Sequence, residues 1–484
     1  MKLKQFISSK YFPLIFIPIA FLFSLIYSWA TSPLFLGDDF DSSIFKTIGL
    51  GIAQGKLPYV DLFDHKGGLF FLIQSLGWIL PWGRWGLFIV QICFLSTTLA
   101  LLFQTSCLLL DKAKAFGATM CCLMLNIIFI ESGNQCESFM LPFTALTLFL
   151  SIKYLLNKSQ DKHPILYSLV YGICFAAVFW IRPNDAVSQI GAVMAGIFFL
   201  LLYRKQYRNA IANASVFLVG CAIVTLPLVG FFAYHGCVYE LLNGTFLFNL
   251  RYVSDSGMPS AMTTLVPLAI FGTIIWISLR EQKSALNFIF TPMLVLTLLL
   301  IGKREYGHYL IIMVVPAIIL FSYLIKARWN IALCIVLVAV AGLSIRQHKY
   351  VFKSITEHSG LEEFYAQTRR IIGNVPESER DMIWNLNLTK ASNKERPNIY
   401  TTLSSFVDAG ITPCNRVFVI FHLYAFPESE TVIANMPKWI LADPTAKSYG
   451  DYADFLEQHY TIVDETDKTC VGDITLYKIK DADR

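Results

Sequence analysis

The stretch from Ser32 to Gly68 concentrates side chains that could do chemistry. It carries Asp38, Asp39 and Asp41 toward one end and Asp61, Asp64, His65 and Lys66 toward the other. A carboxylate can take a proton from a hydroxyl group, and a neighbouring cation can hold an anion such as phosphate. In the alternative interpretation, Asp41 only caps a helix, and Asp38 and Asp39 are solvated loop charges. The paired cation and acids at the end of the stretch favour the chemical interpretation, because they have no obvious packing purpose.

The segment between these charged ends predicts a helix that would position them. In Ser42–Gln54, apolar and small residues recur at helical spacing on one face: Phe45, Ile48, Gly49, Ile52 and Ala53. Asp41 or Ser42 would cap this helix, which we expect to lie flat on a membrane surface. The apolar run Leu69–Leu80 is too short to cross a bilayer and predicts an interfacial or re-entrant helix.

The composition requires a membrane around these elements. Of the 484 residues, 55% are hydrophobic and 15% are charged, against about 25% charged in soluble domains, so a soluble enzyme is excluded. Runs of about 18–25 apolar residues predict a polytopic α-helical membrane protein. About eleven spans are expected, at 11–30, 86–110, 115–130, 138–156, 165–181, 186–203, 210–234, 261–279, 285–301, 307–325 and 329–345.

The distribution of positive charge predicts the orientation. Residues 1–345 hold 23 Lys and Arg, of which 15 fall in the segments that alternation places with the N-terminus. By the positive-inside rule those segments are cytoplasmic, in a plasma (inner) membrane, and residues 346–484 lie outside the cytoplasm. A cleavable signal peptide is the competing interpretation of residues 1–30, since Ser28-Trp29-Ala30 resembles a cleavage site.

The C-terminal part, residues 346–484, predicts a small α/β domain. Helices are expected at Gly360–Ile372 and Tyr449–Tyr460, with strands at Met382–Leu386, Arg416–Leu423 and Trp439–Ala442, and near Thr461–Val463 and Asp473–Ile479. It carries no catalytic motif, so recognition or stability is its expected role.

Cys414 and Cys470 could form a disulfide in an oxidising compartment. The tail is weakly acidic and the basic loops are short, so no nucleic-acid partner is expected.

The first loop resembles that of a known family. The run "DSSIFKTIGLGIAQGKLPYVDLFDHKGG" is similar to the first-loop signature of the polyprenyl-phosphate-sugar-dependent glycosyltransferases of the GT-C superfamily, relatives of the protein O-mannosyltransferases and the lipid A aminoarabinose transferase. Asp41 matches the catalytic Asp of that family, and Asp64-His65-Lys66-Gly67 matches its closing element. Two positions depart from the pattern, because Ser42 stands where the better-studied members have Glu and Gly68 replaces a Pro.

Other segments on the predicted outer side agree with a phosphate-handling site. Cations are rare there, so Arg182, Arg251, Lys303 and Arg304 join His65 and Lys66 as candidates for donor-phosphate binding. The segment that holds Lys303, Arg304, His308 and Tyr309 also resembles the basic and aromatic segment that the family has before a late helix, which adds His308 and Tyr309 to these candidates. Glu137 is a further acidic candidate, for an acceptor or a metal. The alternative for the basic residues is snorkelling to the membrane interface.

The resemblance implies a fold, a reaction and partners. The expected fold is a GT-C-like transmembrane body, residues 1–345, whose first outer loop, 31–85, carries interfacial helices. The expected reaction is an inverting transfer of a sugar from a polyprenyl phosphate to a glycan, lipid or protein outside the cytoplasm, with Asp41 as base. No cofactor is required by the pattern, and a divalent cation, Mg²⁺ or Mn²⁺, at Asp41 stays open. Two rival functions are an O-antigen-type polymerase or ligase and a flippase for lipid-linked sugars.

Overall fold

Long apolar helices form most of the protein. The computed structural model describes residues 9, 11–35, 38–79, 83–131, 133–157, 161–250, 261–301, 306–327, 342, 358–386, 402–419, 426–443, 446, 450–467 and 474–481. Within these ranges, seven helices are long and apolar enough to cross a membrane: Arg84–Cys107, Lys112–Phe129, Cys136–Leu156, Pro183–Tyr203, Tyr207–Tyr234, Ala261–Arg280 and Gly307–Lys326. The chain is therefore a multi-spanning membrane protein, as the composition predicts.

The helices follow the predicted apolar runs, but in three of the expected spans, at 11–30, 165–181 and 285–301, the helix has fewer than 18 residues, so the count of eleven is not confirmed. In chain order they are α1 (Phe16–Tyr27), α2 (Phe40–Ala53), α3 (Gly68–Ile79), α4 (Arg84–Cys107), α5 (Lys112–Phe129), α6 (Cys136–Leu156), α7 (Ile165–Phe179), α8 (Pro183–Tyr203), α9 (Tyr207–Tyr234), α10 (Val238–Leu242), α11 (Ala261–Arg280), α12 (Asn287–Leu300) and α13 (Val314–Lys326). The last of the eleven expected spans, 329–345, lies outside the described residues. α3 has 12 residues and is about 18 Å long, too short to span a bilayer.

Helix α2 is buried more deeply than the sequence predicts. Its apolar face was expected to rest on a membrane surface, yet every residue from Ser42 to Gly51 is buried. One side packs on α3 and another on a helix of the C-terminal part, α15 (Thr402–Asp408). The predicted cap was also wrong. Asp39 is the cap, because its carboxylate accepts a hydrogen bond from the Ser42 amide at 2.5 Å.

The C-terminal part contains a four-stranded sheet. Its elements are α14 (His358–Gly373), β1 (Ile383–Leu386), α15, α16 (Val432–Asn435), β2 (Trp439–Ala442), α17 (Gly450–His459), β3 (Tyr460–Glu465) and β4 (Thr475–Ile479). The strand order is β1-β2-β4-β3, with β1 parallel to β2 and the other pairs antiparallel. Apolar clusters lie on its two faces. The predicted α/β character is therefore correct.

One predicted strand is wrong, and the reason is a contact with the body. Residues 416–419 form no strand, and 420–423 lie outside the described residues. Phe418 and Val419 are buried in the same apolar cluster as the transmembrane helices, together with Leu403 of α15. The side chain of Asn385 donates to the Phe418 carbonyl at 2.7 Å. The C-terminal domain is thus packed onto the membrane body and its first loop. Cys470 lies outside the described residues.

Candidate active site

The segment Asp64-His65-Lys66 is fixed to the end of α7 through its backbone. The amide of Gly67 donates to the Ile181 carbonyl, and the amide of Leu69 donates to the Trp180 carbonyl, each at 3.0 Å. A Cβ atom on Gly67 would lie 2.0 Å from the Trp180 carbonyl oxygen, so a residue other than glycine would break this contact. The first loop therefore meets residues 180–185 ("WIRPND"), which are distant from it in sequence.

The side chains of Asp64, His65 and Lys66 contact one another in series. The Lys66 ammonium lies 3.1 Å from His65 Nε2, and His65 Nδ1 lies 3.3 Å from an Asp64 carboxylate oxygen. Burial lowers the pKa of His65, with Lys66 acting in the same direction. Burial also lowers the pKa of Lys66, but Asp64 and Asp41 outweigh it and leave that pKa raised. Lys66 is therefore a cation that donates to a neutral imidazole.

Arg182 is held in one orientation by two buried carboxylates and an aromatic ring. Its guanidinium forms ion pairs with Glu137 and with Asp185, the latter at 3.2 Å, and both carboxylates are 1% exposed. Its other contact is the Tyr309 ring, whose centroid is 3.7 Å away. Glu137 is thus engaged with Arg182. A planar guanidinium can bind a phosphate through two parallel hydrogen bonds, and a fixed orientation reduces the entropy cost of doing so.

These residues line a cleft of about 840 Å³, including its open mouth. His65, Lys66, Arg182 and Tyr309 form one part of its wall. Ile181, Phe246 and Leu250 provide apolar surface, and the wall also includes Pro183, Asn184, Thr245 and Asn249. A phosphate joined to a long hydrocarbon chain would match this combination of polar and apolar surface.

Asp41 lies in the first turn of α2 and is half-buried. Within the described residues its carboxylate has no hydrogen bond and no ion pair. Burial raises the pKa of Asp41 above its ordinary value of 3.8, while Lys66 and His308 oppose that shift. Asp41 therefore interacts electrostatically with both of these cationic side chains. His308 itself is paired with Glu131, at 3.0 Å.

The other predicted acids have structural partners. Asp38 forms an ion pair with Lys46 at 2.9 Å, and the two side chains are 4% and 3% exposed. Burial lowers the pKa of Lys46 to about 8, against the raising effect of Asp38. Asp61 accepts a hydrogen bond from the Leu57 amide at 2.6 Å, and Asp39 caps α2. The interpretation of Asp38 as a solvated loop charge was wrong, because Lys46 was not recognised as its partner.

The Asp38–Lys46 pair leads to a stability prediction. Asp38→Asn leaves a buried ammonium without its carboxylate, which typically costs about 3–5 kcal/mol. We therefore expect a clear fall in the thermal unfolding temperature of the purified protein. Asp61→Asn, at an exposed site, should melt like the wild type. Replacing both partners, Asp38→Asn with Lys46→Met, should recover part of the loss. Equal unfolding temperatures for Asp38→Asn and Asp61→Asn would contradict the claim that the Asp38–Lys46 ion pair stabilises the fold.

Several candidates are not placed by the structure. Arg251, Lys303 and Arg304 lie outside the described residues. In the described part of the chain, no three His, Cys, Asp or Glu side chains are grouped as a metal site. Sequence reasoning missed Asn249, which lines the cleft and donates to the His65 carbonyl at 2.8 Å. Its position two residues before Arg251, in "FNLR", was the available signal.

Comparisons with known proteins identify a family and a fold. The family model described as "Putative competence-induced protein Ccs4 N-terminal domain" matches residues 5–333. No curated protein sequence matches the chain. Among solved structures, ArnT from Cupriavidus metallidurans, bound to undecaprenyl phosphate, is 10% identical with a TM-score of 0.58 over 98% of this chain and 99% of that one. The oligosaccharyltransferase AglB from Archaeoglobus fulgidus, in complex with an inhibitory peptide and a dolichol-phosphate, is 14% identical with a TM-score of 0.48 over 98% and 75%. The chain therefore shares the fold of ArnT, as the resemblance of the first loop predicts.

Proposed function

The chain belongs to the competence-induced Ccs4 N-terminal domain family, and we propose that it is a membrane glycosyltransferase that uses a polyprenyl-phosphate sugar. One observation carries this proposal: the unpartnered carboxylate of Asp41 lies in electrostatic range of Lys66, which lines a cleft with cationic and apolar walls. The shared fold supports it, because ArnT has that fold and was solved with undecaprenyl phosphate bound.

The donor phosphate would bind at the cationic end of the cleft. Lys66 supplies an ammonium group, and Arg182 supplies a fixed guanidinium. His65 Nε2 contacts the Lys66 ammonium at 3.1 Å. The guanidinium of Arg182 lies over the Tyr309 ring, 3.7 Å from its centroid. The first isoprene units would lie against Phe246 and Leu250. Arg251, Lys303 and Arg304 remain proposed contacts, and His308, which interacts electrostatically with Asp41, is a further one.

The transfer needs one base and no general acid. Asp41 takes the proton of an acceptor hydroxyl, whose oxygen forms a bond to the anomeric carbon of the sugar. The bond from that carbon to the phosphate oxygen breaks on the opposite face, so the anomeric configuration inverts. Lys66 and Arg182 stabilise the negative charge of the leaving polyprenyl phosphate, so this leaving group needs no proton. The acceptor is a glycan, a lipid or a protein outside the cytoplasm.

A divalent cation is part of the same proposal. Asp41 is the residue that would hold Mg²⁺ or Mn²⁺, since its carboxylate is not engaged with another described side chain. Oxygen ligands of this kind suit both ions. A transfer assay with EDTA, followed by each ion in turn, distinguishes a metal-dependent enzyme from a metal-independent one.

A binding experiment tests the donor assignment without knowledge of the sugar. The purified protein is titrated with undecaprenyl phosphate and, as the matched control, with undecaprenol, and binding is followed by intrinsic fluorescence. Because the cations of the cleft recognise the phosphate, we expect saturable binding of undecaprenyl phosphate and at least tenfold weaker binding of the alcohol. Equal affinity for the two lipids would contradict the assignment.

The orientation of the chain gives a second prediction. With the short basic segments in the cytoplasm, residues 346–484 and the mouth of the cleft lie outside. A C-terminal fusion to alkaline phosphatase should therefore be active in cells, and a fusion to a reporter that works only in the cytoplasm should be inactive. The reverse pattern would place the site on the wrong side for an acceptor outside the cytoplasm.

A further inference from the structure

The C-terminal domain holds the first loop by a set of contacts around a single turn. Gln54 donates to the Gly410 carbonyl at 2.8 Å, and Lys56 donates to the Pro413 carbonyl at 3.0 Å. Arg416 then engages the turn twice. Its guanidinium donates to the Tyr59 carbonyl at 2.8 Å, and its own carbonyl accepts from the Phe63 amide at 2.8 Å. The turn before the Asp64-His65-Lys66 segment is thus held partly by the C-terminal domain.

Tyr59 connects this turn to Lys66. It is completely buried, and its hydroxyl donates to the Lys66 carbonyl at 2.7 Å. Its ring fits against Gly244, where a Cβ atom would lie 2.3 Å from a ring carbon. Tyr59 also has a left-handed backbone, with φ of 69°. For a tyrosine this conformation is strained and persists only where the surroundings determine it. The Arg416 guanidinium on its carbonyl is one such contact.

We propose that Arg416 and Tyr59 are positioning residues of the donor site, through which the C-terminal domain keeps Lys66 at the phosphate-binding end of the cleft. The path has two steps: Arg416 fixes the carbonyl of Tyr59, and the hydroxyl of Tyr59 fixes the backbone of Lys66. This gives the domain a role in donor binding, although it contributes no residue to the described wall of the cleft. The proposal rests on the proposed function, since it takes Lys66 to contact the donor phosphate.

The test uses full-length protein and two measurements. The first is the Kd for undecaprenyl phosphate, and the second is amide hydrogen exchange in residues 57–66, which requires no ligand. The variants are Tyr59→Phe, Arg416→Ala and Arg416→Lys. Arg370→Ala is the matched arginine control, because Arg370 contacts Asp464 and Glu465 within the domain. Tyr323→Phe is the matched tyrosine control, because the Tyr323 hydroxyl has no hydrogen-bond partner among the described residues.

We expect Tyr59→Phe and Arg416→Ala each to raise the Kd about 2–10-fold, the effect of one lost buried hydrogen bond. Exchange in residues 57–66 should become faster in both. Arg416→Lys should restore part of each effect, and both control variants should behave like the wild type. Because the two residues act in series, the fold increase in Kd of the double variant should be smaller than the product of the two single increases.

The outcomes separate this proposal from the proposed function. Wild-type protein that does not distinguish undecaprenyl phosphate from undecaprenol contradicts the proposed function, and the exchange measurement then decides the positioning role alone. Unchanged exchange in Arg416→Ala and Tyr59→Phe overturns the positioning role. So does an unchanged Kd in both variants of a protein that binds the phosphate. If Arg416→Ala does not fold, Tyr59→Phe, which removes a single oxygen, decides the question.

Discussion

Asp41→Asn is expected to reduce sugar transfer by about 10²–10⁴-fold, the usual effect of removing a positioned general base. The substitution keeps the size of the side chain and removes its capacity to accept a proton. The fold should survive, because Asp39 rather than Asp41 caps α2, and because the Asp41 carboxylate has no hydrogen bond to another described residue. The measurement is the initial rate of transfer from a polyprenyl-phosphate sugar by purified variants with matched unfolding temperatures.

Two controls make this result specific. Asp61→Asn, with its carboxylate on an exposed turn, should transfer sugar at near the wild-type rate. The wild-type rate should fall at acid pH as the base is protonated, and the midpoint of that fall should lie above 3.8, because burial raises the pKa of Asp41. If Asp41→Asn keeps its rate, the base is another group. An inactive Asp39→Asn variant that is normally folded would identify which one.

Lys66→Ala is expected to have the second largest effect, on donor binding as well as on turnover. A hydrogen bond to a charged group contributes about 1.5–3 kcal/mol, so the Kd for undecaprenyl phosphate should rise about 10–150-fold. Turnover should fall too, because the leaving phosphate gains charge in the transition state beside the same ammonium. Lys66→Arg should restore part of the affinity, because it keeps the positive charge.

Lys66 is a cleaner test of the phosphate site than Arg182. Arg182→Ala would leave Glu137 and Asp185, both 1% exposed, without their cation, and loss of one partner of a buried pair is strongly destabilising. Lys114→Ala is the matched control for Lys66→Ala, because Lys114 pairs with Asp111 on an exposed helix end. An unchanged Kd in Lys66→Ala would exclude the ammonium as a phosphate contact.

The sequence predicted the helices well, and several of the candidate residues lie together in the structure. Apolar runs defined the helices because a span is a local property, set by length and composition. The first loop identified Asp41 and the Asp64-His65-Lys66 segment, and the structure brings Lys66, His65, Arg182 and Tyr309 to one cleft. These residues were selected by their short motifs. The spacing of the motifs along the chain could not predict that they meet, because the contact between Gly67 and Trp180 joins distant parts of the sequence.

What the sequence could not predict depends on contacts between distant residues. Lys46 was not recognised as the partner of Asp38, because an acid and a base eight positions apart also occur on solvated surfaces. The strand expected at 416–423 was wrong for its described residues because Phe418 and Val419 bury themselves in the body instead of joining the sheet. The same contact explains why α2 is covered by α15 and does not lie open on the membrane.

The most direct test of the central claim is whether purified protein in detergent releases undecaprenyl phosphate from a panel of undecaprenyl-phosphate sugars, in the presence of a cell-envelope extract as acceptor. Detergent removes any transmembrane gradient, so transport alone cannot produce this product. We expect release with at least one donor, a labelled sugar in the acceptor fraction, and neither in Asp41→Asn. Donors that remain intact throughout the panel, or equal release by Asp41→Asn, would contradict a glycosyl transfer that depends on Asp41.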